Sequence, residues 1–246
     1  MGKSLLKYCH ILASTDQEKL DVLQIVKPKS ISILPNLVNL PFTNWEPEID
    51  FLPVNEKRKT KNEKSTTHIP FNLLFLSRIN EIKGLDILLE ALALVEIKWQ
   101  LTIAGKGEEI YVDSLKEKAK SLKINNNIKW IGQVNNEDKF ELMAQHDLLI
   151  LTSYRESFAN VIIESLSMGT PVLVSNEVGL SRYVIEKRLG YVTTLKTNHI
   201  ANEIKTAYLE KDNRQRIRVD GPRIIYNDFN TDILIQHYLK LYKEIT

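Results

Sequence analysis

The sequence predicts an α/β fold built on a doubly wound parallel sheet, with a small α/β segment in front of it. From residue 70 onwards, short apolar runs alternate with amphipathic stretches of helical length. The runs are apolar throughout, as strands are when a sheet is covered on both faces. Helices between such strands imply right-handed crossovers and a parallel sheet. Ligands of these sheets bind beyond the carboxyl ends of the strands, so the residues after each strand are candidates for a site.

The elements of the main sheet follow from these runs in order. Strands are predicted at 73–77, 100–104, 128–131, 148–152 and 172–175, with helices at about 85–96, 109–122, 137–145, 159–168 and 180–186. The last segment, 228–246, has apolar residues at helical spacing and is predicted to be an amphipathic helix.

A shorter α/β segment precedes the main sheet. Residues 11–13 and 30–34 are predicted strands, and Thr15 with Glu18 forms the capping-box start of a helix between them. Residues 41–69 are rich in proline, basic and polar residues and are predicted to be a linker. A basic cluster at 56–64 is interpreted as solvated, with weak contact to an anionic membrane face as the alternative. The predicted units are therefore 1–40, 41–69, 70–227 and 228–246.

Composition argues against several classes of protein. The formal net charge is only +2, which gives no argument for a nucleic-acid partner. Cys9 is the single cysteine, so no internal disulfide forms, and no zinc-ligand spacing exists. Cys9 is predicted to be a small buried side chain. No run approaches 18 uninterrupted apolar residues. The predicted location is cytoplasmic, with peripheral contact at the inner membrane face left open.

Two acidic residues follow the strand at 148–152. Glu156 lies in the loop after the strand, and Glu164 lies more than one turn into the next helix. Eight positions span about 12 Å at 1.5 Å per helical residue, more than the roughly 5–9.5 Å of glycosidase carboxylate pairs. The spacing favours two acids that hold separate parts of an extended ligand; alone, each acid would more often face solvent. The free N–H groups at the start of this helix form a candidate phosphate site.

Two cations surround the end of the first strand of the main sheet. Arg78 leaves the strand, and Lys83 precedes the next helix. A guanidinium and an ammonium at these positions suit the oxygens of a diphosphate. Taken without their context, they would more often be surface charges.

These residues together resemble the donor domain of the GT4-type (group 1) glycosyltransferases, which have the Rossmann-like GT-B fold. The resemblance covers residues 8–245, and it rests on Arg78 with Lys83 and Gly84, Gly105-Lys106-Gly107, Gly132, Glu156-Ser157-Phe158 with Glu164, and Gly169-Thr170-Pro171-Val172. The final helix resembles the closing helix of the family, which packs back towards the N-terminal domain.

The resemblance implies a role for each site residue. Arg78 and Lys83 would neutralise the donor diphosphate, and Glu156 would bind the sugar; these three are the catalytic candidates. Glu164 would bind the ribose hydroxyls. The other donor-binding candidates are Ser157, Phe158, Ala159 and Asn160, through backbone N–H groups, Gly132 after the third strand, and Val134 near the base, with Lys139 as a further candidate there. No metal or cofactor is implied, because fixed positive charge and helix dipoles help the leaving group depart. The configuration of the sugar would be retained.

The sequence also departs from the family pattern. Ser77 stands where glycine is usual, and Arg182 stands where an acidic residue is common. Residues 8–40 resemble only the last segments of the N-terminal acceptor domain, so the glycine-rich loop and the histidine of that domain cannot be placed.

Several functions are consistent with these observations. The leading hypothesis is the donor half of a retaining glycosyltransferase that transfers a sugar from a nucleotide diphosphate sugar to a hydroxyl of a glycan or lipid-linked acceptor, in surface polysaccharide or glycoconjugate synthesis. The alternatives are a non-catalytic nucleotide-sugar-binding module, another GT-B enzyme such as a sugar-nucleotide epimerase, and a remnant without function. An exposed surface of the N-terminal segment and the closing helix is expected to bind a partner chain or a second copy.

Overall fold

Two parallel sheets organise the computed structural model, which describes residues 5–41 and 69–245. The first sheet contains β1 (His10–Ala13) and β2 (Ser30–Ile33), which are joined by helix α1 (Asp16–Ile25). The second contains β3 (Phe71–Leu76), β4 (Trp99–Ala104), β5 (Ile128–Gly132), β6 (Leu148–Leu151), β7 (Val172–Ser175) and β8 (Gly190–Thr193). Its helices are α2 (Leu85–Leu92), α3 (Glu109–Ser121), α4 (Asp138–Ala144), α5 (Asn160–Ser167), α6 (Ser181–Glu186), α7 (Thr197–Leu209), α8 (Lys211–Phe229) and α9 (Thr231–Ile245). The predicted linker lies almost wholly outside the described residues.

The order of the strands in the large sheet is β5-β4-β3-β6-β7-β8, and all neighbours are parallel. The chain runs outwards from β3 to β5 and then returns to place β6 on the other side of β3. This reversal is a topological switch point, where a crevice opens beyond the carboxyl ends of the two central strands. The predicted doubly wound parallel sheet is therefore confirmed, and the carboxyl ends of β3 and β6 are the place where sheets of this kind bind ligands.

The sheet buries one hydrophobic cluster on each face because successive side chains of a strand point to opposite sides. On β3, Leu73 and Phe75 belong to the cluster beneath α2, α3 and α7, whereas Leu74 belongs to the cluster beneath α5, α6 and α8. All three side chains are fully buried. This burial on both faces explains why the strands read as continuous apolar runs.

The C-terminal third contains elements that the sequence pattern did not predict. These are β8, α7 and the long polar helix α8, which holds Pro222 within it. The predicted final helix was placed three residues too early, because Phe229 still belongs to α8. The side chain of Asn230 accepts hydrogen bonds from the N–H groups of Asp232 and Ile233 and so starts α9.

The N-terminal segment begins its helix as predicted. The Thr15 hydroxyl accepts a hydrogen bond from the Glu18 N–H at 3.1 Å. The Glu18 carboxylate reaches back to the N–H of Ser14 at 2.6 Å, one residue before the position expected for a capping box. The prediction of a buried Cys9 was wrong, since its side chain is exposed.

A search of residues 5–41 and 69–245 finds no helix with the length and apolar character needed to cross a bilayer.

Candidate functional site

The loops that follow β3 and β6 are joined to each other at the switch point. The Tyr154 N–H donates to the carbonyl of Ile82 at 2.7 Å, and the Thr152 hydroxyl donates to the carbonyl of Gly84 at 2.7 Å. Gly84 has a φ of 64°, and a Cβ built on it would lie 2.0 Å from the carbonyl oxygen of Thr152. Glycine is required here both for the left-handed backbone and for the close approach of the two loops.

Replacement of this glycine tests the junction. Gly84→Ala is expected to lower the free energy of unfolding by about 2–4 kcal/mol, because left-handed strain adds to an overpacked contact. Chemical denaturation checks the value. Gly132→Ala is the matched control: Gly132 also has positive φ, but an added Cβ would meet no atom within 4 Å, so a loss of only about 1–2 kcal/mol is expected. Equal losses in the two variants would contradict the importance of the close contact.

The joined loops bring two of the catalytic candidates together. Lys83 and Glu156 form an ion pair whose side chains are 14% and 20% exposed. The backbone of Glu156 is held from the other side, since its carbonyl accepts the N–H of Gly179 at 2.8 Å. Arg78 is exposed, and it has no ion pair within the described residues. Within the described residues, the end of β3 therefore has one cation without an ion-pair partner, Arg78. The other cation, Lys83, is neutralised by Glu156, the candidate for binding the sugar.

The second acidic candidate has a different lysine partner. The Nζ of Lys139 on α4 lies 2.8 Å from Oε1 of Glu164 on α5, and the side chains are 18% and 12% exposed. A carboxylate with so little exposure needs a charged or hydrogen-bonding partner. Lys139 was expected near the base, and this contact with Glu164 was not foreseen. Glu156 and Glu164 therefore form ion pairs with two different lysines, Lys83 and Lys139.

The turn before α5 has an unusual backbone. Ala159 has φ 67° and ψ 79°, a left-handed conformation that is rare for a residue with a Cβ. Phe158 is buried and makes an edge-to-face contact with Phe229, with ring centroids 6.1 Å apart, so only its backbone remains for a ligand. Ser157 and Asn160 are exposed. Within the described part of the chain, the N–H groups of Ala159, Asn160 and Val161 donate no hydrogen bond. Free N–H groups at a helix N-terminus favour an anion.

The strain at Ala159 can be measured. Ala159→Gly is expected to raise the free energy of unfolding by about 0.5–1 kcal/mol, because relief of roughly 1–2 kcal/mol of left-handed strain exceeds the added flexibility of the unfolded chain. Denaturant titration provides the test. The control is Ala93→Gly, at a helix end with φ −65°, which should lower stability by about 0.5–1 kcal/mol. A loss of stability at both positions would show that Ala159 is not strained.

Gly132 and Val134 line different clefts. Gly132, with a φ of 73°, borders a cleft of about 350 Å³ at the ends of β4 and β5, together with Gly105, Gly107 and Trp130. Val134 is half-buried and borders a separate cleft of about 480 Å³ beside α4. The structure does not bring these two donor-binding candidates into one cleft.

Three polar side chains near the same loops, those of Tyr111, Ser153 and Tyr154, were not predicted from the sequence to belong to the site. Tyr154 donates to Asp86 at 3.4 Å, and burial, followed by the Asp86 carboxylate, raises the pKa of Tyr154. Burial, with Asp86 and Glu81, raises the pKa of Tyr111 to about 12. Both phenols therefore stay protonated at neutral pH. The hydroxyls of Tyr111 and Ser153 have no hydrogen-bond partner within residues 5–41 and 69–245. Ser153 and Tyr154 lie two and three residues after the end of β6, so their place at the carboxyl end of a strand was the signal that could have found them.

The described residues contain no group of three or more His, Cys, Asp or Glu side chains arranged to hold a metal ion.

Comparison with known proteins agrees with the fold described above. The sequence model of the family described as "Glycosyl transferases group 1" matches residues 56–223, more than half of the chain. The chain belongs to this family. The family match includes both lysine–glutamate pairs, Arg78 and the turn before α5.

The proteins that this group 1 glycosyltransferase chain resembles are longer than the chain, which matches only part of each. An uncharacterised 41.2 kDa protein of the cps region of Klebsiella pneumoniae is 23% identical over 76% of this chain and 50% of its own length. The N-acetyl-alpha-D-glucosaminyl L-malate synthase of Bacillus anthracis is 23% identical over 70% of this chain and 45% of its length. Crystalline HepE from Anabaena, in complex with UDP and glucose, superposes with a TM-score of 0.79 and 21% identity, over 98% of this chain and 65% of that one. The chain thus spans about half the length of these curated relatives.

Proposed function

We propose that this group 1 glycosyltransferase chain binds a nucleotide diphosphate sugar and forms the donor half of a retaining glycosyltransferase. The observation that carries the proposal is the arrangement at the switch point. Arg78, which has no ion pair within residues 5–41 and 69–245, and the Lys83–Glu156 pair follow β3 and β6, and the N-terminus of α5 lies at the same edge of the sheet. Cations and free N–H groups suit a diphosphate, and the carboxylates suit the hydroxyls of a sugar or ribose.

The ion pair suggests how the site would respond to the donor. A diphosphate that binds Lys83 competes with Glu156 for the same ammonium group. Release of Glu156 from Lys83 leaves its carboxylate free to accept a hydrogen bond from a hydroxyl of the donor sugar. Glu164 would accept hydrogen bonds from the ribose hydroxyls, beside the ammonium group of Lys139.

The proposed reaction breaks the bond between the anomeric carbon and the oxygen of the β-phosphate. The bonding electrons leave with the nucleoside diphosphate, and the acceptor oxygen forms the new bond on the same face of the sugar and gives its proton to the departing phosphate oxygen. Arg78 and Lys83 would stabilise the negative charge that develops on the leaving group, because charges already in position cost little reorganisation. We propose that no metal ion takes part.

The biological setting and the acceptor are inferred from the relatives. One relative is encoded in a cps region, and HepE was crystallised with UDP and glucose. These names support a role in surface polysaccharide or glycoconjugate synthesis, with a glycan or lipid-linked hydroxyl as acceptor.

The acceptor half is proposed to dock on the N-terminal segment and α9. Within the part of the chain that the structure describes, the sheet of β1 and β2 has two strands, too few for a stable parallel sheet of its own. Large apolar side chains are exposed on α1 (Leu20, Leu23, Ile25) and on α9 (Ile233, Leu239, Tyr242, Ile245). Exposed apolar surface of this kind marks an interaction site. Residues 1–40 would then belong to the acceptor domain, residues 70–227 to the donor domain, and α9 would join the two; self-association is the alternative use of this surface.

A donor-turnover assay tests the proposed function. The purified chain is incubated with UDP-, GDP- and ADP-linked sugars, with and without hydroxyl acceptors, and the nucleotide released is quantified while NMR assigns the anomeric configuration of the product. Release of one nucleotide with retention supports the proposal, and inversion contradicts the retaining mechanism. Binding without release in the presence of a polypeptide that supplies the acceptor half would identify the alternative, a non-catalytic nucleotide-sugar-binding module.

A further inference from the structure

The turn before α5 is held on both sides by the N-terminal segment. The hydroxyl of Thr15 donates to the carbonyl of Ser157 at 3.1 Å, and the side-chain amide of Asn36 donates to Oδ1 of Asn160 at 3.3 Å. Each contact joins residues more than 120 positions apart in the sequence. Ala159, with its left-handed backbone, lies between the two anchor points.

The first anchor is buried and closely packed. Thr15 is 6% exposed, and its hydroxyl is used twice, as acceptor for the N-terminus of α1 and as donor to Ser157. Gly179 leaves the room for this contact. A Cβ at that position would lie 1.9 Å from the carbonyl oxygen of Ser157 and 2.7 Å from the hydroxyl of Thr15. Three chain segments therefore converge on one carbonyl group.

The anchors explain how an alanine keeps a strained conformation. A left-handed alanine costs about 1–2 kcal/mol, and such a conformation persists only when its surroundings over-determine it. Backbone and side-chain contacts on both flanks of Ala159 provide that constraint. Loss of either contact would let the turn relax towards ordinary backbone angles, and the free N–H groups of Ala159, Asn160 and Val161 would then change direction.

We propose that Thr15 and Asn36 are positioning residues of the donor site. They hold the turn so that its free N–H groups stay directed at the phosphates and sugar of the donor, although neither residue belongs to the predicted donor-binding set. The proposal rests on the proposed function, because it assumes that the turn binds a nucleotide sugar. Its consequence is that donor affinity depends on the N-terminal segment, before any acceptor is present.

A series of substitutions at position 15 separates this role from helix capping. Thr15→Ser keeps both hydrogen bonds. Thr15→Asp keeps the capping acceptor, because aspartate is a good N-cap, but it cannot donate to the Ser157 carbonyl. Thr15→Val loses both. Asn36→Ala removes the second anchor, and Asn39→Ala is its control, since Asn39 is exposed and makes no hydrogen bond to the turn.

The measurement is the Kd of UDP, GDP and ADP by calorimetry, at a temperature where circular dichroism shows every variant to be folded. Thr15→Asp and Thr15→Val are expected to weaken binding about threefold to tenfold, which corresponds to one lost hydrogen bond. Thr15→Ser should restore affinity to within about twofold of the wild-type chain. Asn36→Ala is expected to weaken binding about threefold, and Asn39→Ala should leave it unchanged.

The outcomes that would overturn the proposal are distinct from failure of the proposed function. If Thr15→Asp and Thr15→Val both bind the nucleotide with the Kd of the wild-type chain, the positioning role alone is overturned. Weakening in Thr15→Val without weakening in Thr15→Asp also overturns it, because the cap would then be the feature that matters. No binding of any nucleotide by the wild-type chain overturns the proposed function, and the positioning role with it.

Discussion

Lys83→Ala is expected to weaken binding of the nucleoside diphosphate by about 10- to 100-fold, the value of a charge-assisted hydrogen bond of roughly 1.5–3 kcal/mol. Two effects add in this variant. The phosphate loses a cation, and Glu156 loses the partner that neutralises it. An unpaired carboxylate close to the diphosphate repels it, so the loss should exceed that of an exposed phosphate-binding lysine.

The contribution of Glu156 can be isolated with a double-mutant cycle. Glu156→Gln in the Lys83→Ala background removes the unpaired charge and should recover part of the diphosphate affinity. Lys120→Ala is the matched control, because Lys120 also pairs with a glutamate, at 2.7 Å, but on the exposed face of α3. Calorimetric titration of the wild-type chain, Lys83→Ala, Glu156→Gln and the double variant gives the four affinities of the cycle. Unchanged diphosphate binding in Lys83→Ala would remove this lysine from the site.

Glu164→Gln is expected to weaken nucleotide binding about 10- to 100-fold, because the ribose loses its ionised acceptor. The substitution also leaves Lys139 without its partner, at a position where that side chain is only 18% exposed. A fall in affinity could therefore come from the ribose contact or from a disturbed α4–α5 packing.

Lys139→Met separates these two causes. It breaks the same ion pair and keeps the aliphatic part of the side chain, while Glu164 remains available to the ribose. If Glu164 contacts the ribose, nucleotide affinity should fall much less in Lys139→Met than in Glu164→Gln, although denaturant titration should show both variants to be less stable. Equal losses of affinity in the two variants would assign the ion pair a structural role instead.

The strands of the large sheet could be predicted from the sequence because their side chains are buried on both faces. Runs such as residues 148–151 contain only large apolar side chains, and each becomes a strand. Helix α8 was not predicted, because it is highly polar and contains Gly221 and Pro222, which usually mark a turn. It forms nonetheless, since Ile217, Ile225 and Phe229 are buried on one side of it. Tertiary packing overrides local propensity at this helix.

The site was predicted as separate groups of residues, and their contacts depend on the strand order. Lys83 and Glu156 meet only because β6 lies next to β3, although two strands separate them in the chain. Local pattern gives each strand end but not which strands are neighbours. The pairing of Lys139 with Glu164 and the anchoring of Ser157 by Thr15 are likewise tertiary contacts, across 25 and 142 positions. No local spacing could have indicated them.

The central claim is that the switch point of this sheet binds a nucleoside diphosphate. The most direct test is calorimetric titration of the purified chain with UDP, GDP and ADP, repeated on Arg78→Ala and Glu164→Ala. Arg78 is the exposed cation at the end of β3, so its removal should cost affinity without loss of stability. We expect one diphosphate to bind the wild-type chain and both substitutions to weaken that binding at least tenfold, because each removes a charge-assisted contact. Absence of binding by the wild-type chain, or equal binding in all three chains, would contradict a nucleotide site at the switch point.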